Sequence, residues 1–157
     1  MMPTTREVIA SMQLALKEHV EPQLTDKWAS SALRSVDALL NHLQARVPVE
    51  GPMLHEDSAD LLPILQAAKN ATEAAIPALD TFLSDAPDVL RGYASVERLQ
   101  AINHTGREAV GVLLENAQGA EGNERLMQVL NDLKAYLRRH AERESAFFFP
   151  VFVGRPV

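Results

Sequence analysis

Residues 137–150, LRRHAERESAFFFP, place an imidazole and a carboxylate four residues apart, at His140 and Glu144. A helix turns by about 100° per residue, so side chains four apart lie on one face. Such a pair could share a hydrogen bond, or it could supply two ligands to a metal ion. Both possibilities require that this face of the helix is turned into the protein.

The apolar residues of the same predicted helix indicate which way the pair points. They form one stripe, made of Leu126, Val129, Leu130, Leu133, Tyr136, Leu137, Phe147 and Phe148. Glu144 falls at the centre of this stripe, and His140 lies within roughly 40° of it. A buried carboxylate without a partner is costly or takes up a proton. We therefore expect a buried partner for Glu144, which could be His140, an arginine, water or a metal ion.

The other histidines are assigned to faces by the same rotation. His104 and Glu108 repeat the four-residue spacing, but they lie opposite the apolar stripe of their helix, so we expect them in solvent. His19 falls on the apolar face of the first helix, near its C-terminal end. His42 and His55 are expected on the surface.

Two further residues of the fourth predicted helix bear on the pair. Asn103 lies on the core face, roughly one turn from His140 in height, and is a natural hydrogen-bond partner for it. Gly106 would allow a neighbouring helix to approach closely. One hypothesis is therefore a structural network, in which His140 and Glu144 bond each other and Asn103 or Tyr136 and so fix the helix register.

The stretch LKAYLRRHAERESAFFFP, about 18 of the 157 residues, resembles the last helix of hemerythrin-like cation-binding bundles. Those proteins carry a His, a Glu four residues later and an aromatic-proline close. The resemblance implies a four-helix bundle in which His140 and Glu144 ligate a di-iron centre. The family also has an earlier inward His-x-x-x-Glu pair, whereas here Arg46 stands four residues after His42. Only His19 is a counterpart of the family's isolated histidines, so fewer ligands point inward than a dinuclear site needs. A mononuclear site of His19, His140 and Glu144 is the metal site that this chain could still form.

Composition excludes several classes of function. The chain has 157 residues, 46% hydrophobic and 23% charged, and Ala and Leu greatly outnumber aromatic residues, which favours helices. It contains no cysteine, which excludes disulfides, thiolate zinc sites and thiol nucleophiles and is compatible with a reducing cytoplasm. The net charge of -6 disfavours nucleic acid. No apolar run approaches the roughly 20 residues of a membrane span. We expect a soluble, cytoplasmic protein.

Helical periodicity and turn formers predict five helical segments, at about 5–20, 26–46, 57–82 (kinked at Pro77), 94–117 and 124–149. Thr4, Thr25 and Asn123 are the predicted N-caps, and Pro150 should end the last helix. Short connections between long amphipathic helices imply antiparallel neighbours. The sequence thus predicts an all-α, up-and-down bundle of four to five long antiparallel helices in a single domain, 1–157.

The tail, residues 147–157, is too apolar to remain in water. It should pack either on the core or on a partner, where Phe148, Phe149 and Phe152 would form the interface.

The sequence has no phosphate-binding glycine loop, no Gly-x-Ser-x-Gly and no His-Glu-x-x-His, and no catalytic residue is predicted. We therefore expect a non-catalytic association module, with self-association as a homodimer. The alternative is a bundle that binds a small ligand or a metal ion (iron or zinc) through His140, Glu144 and His19, and no other cofactor is indicated.

Overall fold

The computed structural model describes residues 2–116 and 122–152, without the side chains of residues 146–152. All regular structure in these residues is helical, which confirms the all-α prediction. The α-helices are α1 (Thr5–Ala15), α2 (Lys27–Arg46), α3 (Glu50–Ala71), α4 (Pro77–Arg91), α5 (Val96–Glu115) and α6 (Glu124–Phe152). None of them, over the described residues, combines the length and apolar character needed to cross a bilayer.

The helix starts follow from the capping residues. Thr4 and Glu7 form the predicted capping box at α1, where the Thr4 hydroxyl accepts from the Glu7 N–H at 3.3 Å and the Thr4 N–H donates to the Glu7 carboxylate at 2.7 Å. Asn123 caps α6 as predicted. At α2 the cap is Asp26, not Thr25, because its carboxylate accepts from the Ala29 N–H at 2.8 Å.

The prolines break the chain at places other than those predicted. The predicted third helix is two helices, because Pro77 begins α4 after a break instead of kinking one long helix. Helix α3 begins at Glu50, seven residues before the predicted start, since Pro52 lies in its first turn, where no intrahelical N–H bond is lost. Pro150 does not end α6, which continues to Phe152.

The chain divides into two compact units, and the prediction of a single domain stays a prediction. One unit comprises Glu50–Glu142, and within it α3, α4 and α5 contact one another. Its core is aliphatic and aromatic, and the largest fully buried side chains are Tyr136, Phe82, Leu61, Leu65, Ile76, Leu79 and Leu133. Helix α6 contributes to this core over only part of its length, through Val129, Leu130, Leu133 and Tyr136.

Gly106 sets how closely α5 lies to its neighbours. A Cβ atom at this position would lie 2.7 Å from Cε2 of Phe82 and 2.9 Å from Cδ2 of Leu61. Both distances are shorter than carbon atoms tolerate, so only glycine fits between α3 and α4 here. The prediction of close approach at Gly106 is therefore confirmed.

The other unit comprises Met1–Val49 together with Arg143–Val157, and its main element is a hairpin of α1 and α2. A π-helical segment (Leu16–Val20) and a 3-10 turn (Glu21–Gln23) follow α1 directly. The Gln13 amide donates to Asp37 at 2.9 Å and to Asn41 at 3.0 Å, while Glu21 lines a groove with Leu33. Gln13 in α1 thus lies near a later part of α2 than Glu21, which follows α1, so the chain reverses and the two helices run antiparallel.

Candidate functional site

A buried carboxylate, Asp57 of α3, is the centre of the polar cluster in the Glu50–Glu142 unit. Its side chain is 7% exposed. Oδ2 accepts from the Asn103 amide at 2.6 Å, the Tyr136 hydroxyl at 3.0 Å and Nη2 of Arg107 at 3.3 Å. Oδ1 accepts from Nδ1 of His140 at 2.9 Å. Four donors therefore converge on one acid, which we call the Asp57 cluster.

Helical spacing brings these donors together. Asn103 and Arg107 are four residues apart on α5, and Tyr136 and His140 are four apart on α6, so each helix presents a pair on one face. The close approach of α5 at Gly106 brings its pair within reach of α3. The cluster thus ties three helices to one carboxylate across the core.

Both ring nitrogens of His140 have close neighbours. Nδ1 lies 2.9 Å from Oδ1 of Asp57, which can only accept, so this nitrogen donates. Nη2 of Arg107 lies 2.7 Å from Nε2 and 3.4 Å from Nδ1. Because one guanidinium nitrogen is close to both ring nitrogens, Arg107 lies against the imidazole ring, and a metal ion at Nε2 would have this cation as its immediate neighbour.

The surroundings of Asp57 act on its pKa in opposite directions. Burial raises the pKa, because it disfavours the charged form. The hydrogen bonds from Asn103 and Tyr136, with the electrostatic effects of His140 and Arg107, lower it. The lowering contributions together outweigh burial, so the pKa of Asp57 lies below its ordinary value and the carboxylate is ionised at neutral pH.

This depressed pKa makes a prediction about acid stability. A carboxyl group whose pKa is lower in the folded than in the unfolded chain stabilises fully above the unfolded value, about 3.9, and that stabilisation is lost as pH falls through the folded value. We expect the difference in free energy of unfolding between wild type and Asp57→Asn to shrink below about pH 4. Urea denaturation across this range measures it, with Asp85→Asn, an exposed acid of α4, as control. A difference that stays constant on acidification would contradict the assignment.

The two residues of the His140/Glu144 pair differ in how far they are buried. His140 is half-buried, with 17% of its side chain exposed, as predicted. Glu144 is exposed, so its predicted burial was wrong. Among the described side chains of α6, those of residues 124–145, Tyr136 is the last that belongs to the core of the Glu50–Glu142 unit, so the predicted apolar stripe extends beyond the part of the helix that this core covers. The acid that His140 contacts inside the protein is Asp57.

His19, predicted on the apolar face of the first helix, is exposed. It lies in the π-helical segment Leu16–Val20. A π-helix turns through a smaller angle per residue than an α-helix, because its hydrogen bonds join residues five apart. The exposure of His19 matches that of Val8 and Met12, which belong to the same predicted apolar face, so it does not decide on which face His19 lies.

The remaining predicted polar residues have mixed outcomes. His104 and Glu108 are exposed, as predicted. Asn103 is buried as predicted, and it and His140 both bond to Asp57. His55 lies in α3, not in a loop, and is half-buried with Nε2 3.0 Å from the Leu90 carbonyl. In the described part of the chain no three His, Asp or Glu side chains form a group that could hold a metal ion, and the metal site of His19, His140 and Glu144 stays a prediction.

The second feature of interest is an apolar surface on the α1–α2 hairpin. We call it the hairpin face; its members are Val8, Met12, Trp28, Val36, Leu39, Leu43 and Val47. All are exposed, Trp28 by 84% and Leu39 by 56%. Across residues 2–49 only Ile9 is buried. Apolar patches of this kind mark interaction surfaces on proteins.

The two helices contribute to the same side of the hairpin. In α1, Val8 and Met12 lie more than a quarter turn from Gln13, which contacts α2. In α2 the exposed stripe lies more than a quarter turn from Asp37, which faces α1, and in the same rotational sense. Because the helices are antiparallel, equal rotations in the same sense bring both stripes to one side.

The opposite side of the hairpin has a different character. A groove there is lined by Lys17, Glu21, Arg34 and Asp37 together with apolar side chains. Charged groups of both signs at its edge are typical of a surface in contact with water. Leu14, which is 55% exposed, also lines this groove, so the exposed apolar surface of the hairpin is more extensive on the hairpin face but is not confined to it.

The predicted interface residues Phe148, Phe149 and Phe152 lie in the last turns of α6, where the structure gives the backbone only. Their side chains fall outside the described residues. The prediction that the tail 147–157 packs on core or partner stays a prediction. The hairpin face was not predicted as an interface, although Trp28, Val36, Leu39 and Leu43 recur at helical spacing in the sequence.

Comparison of the chain with protein-family models, with curated proteins and with solved structures finds no match. Function must therefore be argued from the two features above. The Asp57 cluster joins helices and engages its imidazole with a guanidinium group. The hairpin face is an exposed apolar surface, whose contact with water is unfavourable.

Proposed function

We propose that this protein is a self-associating, non-catalytic helical module, in which the hairpin face of one copy packs against the hairpin face of a second copy. The observation that carries this proposal is the burial pattern of residues 2–49, where a two-helix apolar surface is exposed and Ile9 alone is buried. Two helices cannot by themselves enclose a core. Two such hairpins, packed face to face, form a four-helix bundle with an interior.

Charge supports a second copy as the occupant. Residues 1–49 carry five basic and five acidic side chains and so have no net charge, while the whole chain carries -6. Two copies of a strongly charged segment would repel each other, whereas two neutral segments approach without this cost. The acidic remainder of the chain limits further aggregation.

Trp28 supplies an anchor of the type that dominates protein interfaces. It is the single tryptophan of the chain, and 84% of it is exposed. Tryptophan is enriched among residues whose truncation costs most in binding energy, because it buries a large area with few rotatable bonds. Aliphatic neighbours on the same face, such as Leu39 and Leu43, would exclude water around it.

A charge placed on the hairpin face tests the proposal. We expect Leu39→Glu to weaken dimerisation at least about 100-fold, because each copy would bury an unpaired carboxylate at the interface. Light scattering coupled to size-exclusion chromatography measures the mass. Since Leu39 is already 56% exposed, the substitution should leave the helix content, measured by circular dichroism, unchanged.

The matched control is Ala45→Glu, which places the same charge on the far side of α2 and close to the same end. It should dimerise like wild type. If wild type is monomeric at every concentration, or if both variants behave alike, the hairpin face is not the interface. A wild-type dimer that dissociates when the chain is truncated after Glu144 would favour the phenylalanine-rich tail instead.

The lack of cysteine supports a reducing compartment, and we include a cytoplasmic location in the proposal. The Asp57 cluster has a structural role in it. By tying α3, α5 and α6 together, the cluster fixes the Glu50–Glu142 unit, and self-association is assigned to the hairpin.

A further inference from the structure

The two apolar stripes of the hairpin differ in length, and this difference bears on how two hairpins fit together. The exposed stripe of α2 runs from Trp28 to Val47, a rise of about 28 Å. The stripe of α1 runs from Val8 to Met12, about 6 Å. A facing α1 would leave most of the α2 stripe uncovered. Of the two helices of the hairpin, α2 is the one that matches it in length.

From this mismatch we infer that the interface is formed by α2 against α2 of the second copy, antiparallel, with the two-fold axis crossing near the middle of the stripe, between Asp37 and Ala38. The inference rests on the proposed self-association and adds its geometry. In this register Val36 of one copy meets Leu39 of the other, and Trp28 meets Val47. An isologous interface requires such reciprocal pairs.

Size complementarity supports this register. The N-terminal half of the α2 stripe contains the small Ala32 next to the large Trp28, and the C-terminal half contains the aliphatic Leu43 and Val47. Antiparallel overlap sets Ala32 opposite Leu43, so that small and large side chains interdigitate. Antiparallel helices also align their macrodipoles favourably, which a parallel pair does not.

The alternative packing sets α2 of one copy on α1 of the other, with the two-fold axis along the bundle. The two α2 helices would then lie diagonally and parallel. The two arrangements differ in one measurable respect. Across the antiparallel pair, the axial distance between equivalent residues grows by about 3 Å for every residue away from the axis, whereas in the parallel pair it is the same everywhere.

Spin labels on single cysteines distinguish the two, because the chain has no cysteine of its own. We choose Ser31→Cys, Ser35→Cys and Ala45→Cys, all at exposed positions of α2. Double electron–electron resonance on the full chain should give the shortest distance for position 35. Positions 31 and 45 should be longer, with axial separations of about 20 Å against about 8 Å.

The outcomes separate this inference from the proposed function. A dimer with equal distances at all three positions overturns the antiparallel α2 pairing and leaves self-association standing. A dimer with the shortest distance at position 31 or 45 overturns the position of the axis. A labelled chain whose mass is that of a monomer, with unlabelled wild type also monomeric, overturns both.

Discussion

Asp57→Ala should lower the free energy of unfolding by roughly 3–5 kcal/mol, because it leaves buried donors without their acceptor. Asn103 and Tyr136 are both buried, and each would lose its bond to this carboxylate. His140 would lose the acceptor of its Nδ1–H, and Arg107 would lose its ion pair. Urea denaturation followed by circular dichroism, at one fixed protein concentration, measures the effect.

The control for this substitution is Asp85→Ala on α4. Asp85 is exposed, and removing an exposed acid should change stability by no more than about 0.5 kcal/mol. If Asp57→Ala were as mild as Asp85→Ala, the cluster would not stabilise the Glu50–Glu142 unit. Its role as the tie between α3, α5 and α6 would then have to be abandoned.

Gly106→Val should cost roughly 3 kcal/mol, through overpacking at the point where α5 approaches α3 and α4. The Cβ alone would lie 2.7 Å from the Phe82 ring, and the two further methyl groups have no space. The Phe82 and Leu61 side chains are fully buried, so neither can move into solvent to make room. Thermal or urea denaturation measures the loss.

The same helix offers a matched comparison at Gly111. A Cβ there meets nothing within 4 Å, and the residue is exposed. Gly111→Val should therefore be neutral or stabilising by a few tenths of a kcal/mol, because valine is a better helix former than glycine. Equal losses at both positions would show that the close approach at Gly106 does not govern the result.

The sequence was sufficient for the helical class and for individual local features. The caps at Thr4 and Asn123 could be predicted because they depend on side chains only a few residues apart. The close approach at Gly106 could be predicted because glycine has no side chain. The start of α3 and the split at Pro77 were missed. A proline in the sequence indicates an interrupted helix, but it does not tell whether the helix is kinked, ends there or begins there. That depends on tertiary packing.

The candidate site was predicted in part, for a similar reason. The rotation of α6 was enough to predict that His140 points into the protein. Its partner could not be predicted in this way, because Asp57 lies 83 residues away in the chain. A signal for Asp57 was present: it precedes Leu61, Leu65 and Ala68 at helical spacing, so it continues the core stripe of α3 by one turn. Because that helix was predicted to begin near residue 57, the acid stood at the helix start and was not counted in the core stripe.

The error at Glu144 has an identifiable cause. Glu144 was placed by a continuous apolar stripe, and a stripe does not reveal where along a helix the core stops. The same limit applies to the first helix, where His19 is exposed and so are Val8 and Met12 of the predicted apolar face. Apolar periodicity identifies such a face but does not tell whether other residues of the chain cover it.

Sedimentation velocity of the wild-type chain across a wide range of concentration tests the central claim most directly. Self-association through the hairpin face predicts a species of twice the 17.3-kDa chain mass that dissociates to the monomer on dilution. It also predicts that Leu39→Glu shifts this dissociation to higher concentration while Ala45→Glu does not. A single 17.3-kDa species at every concentration would contradict the account.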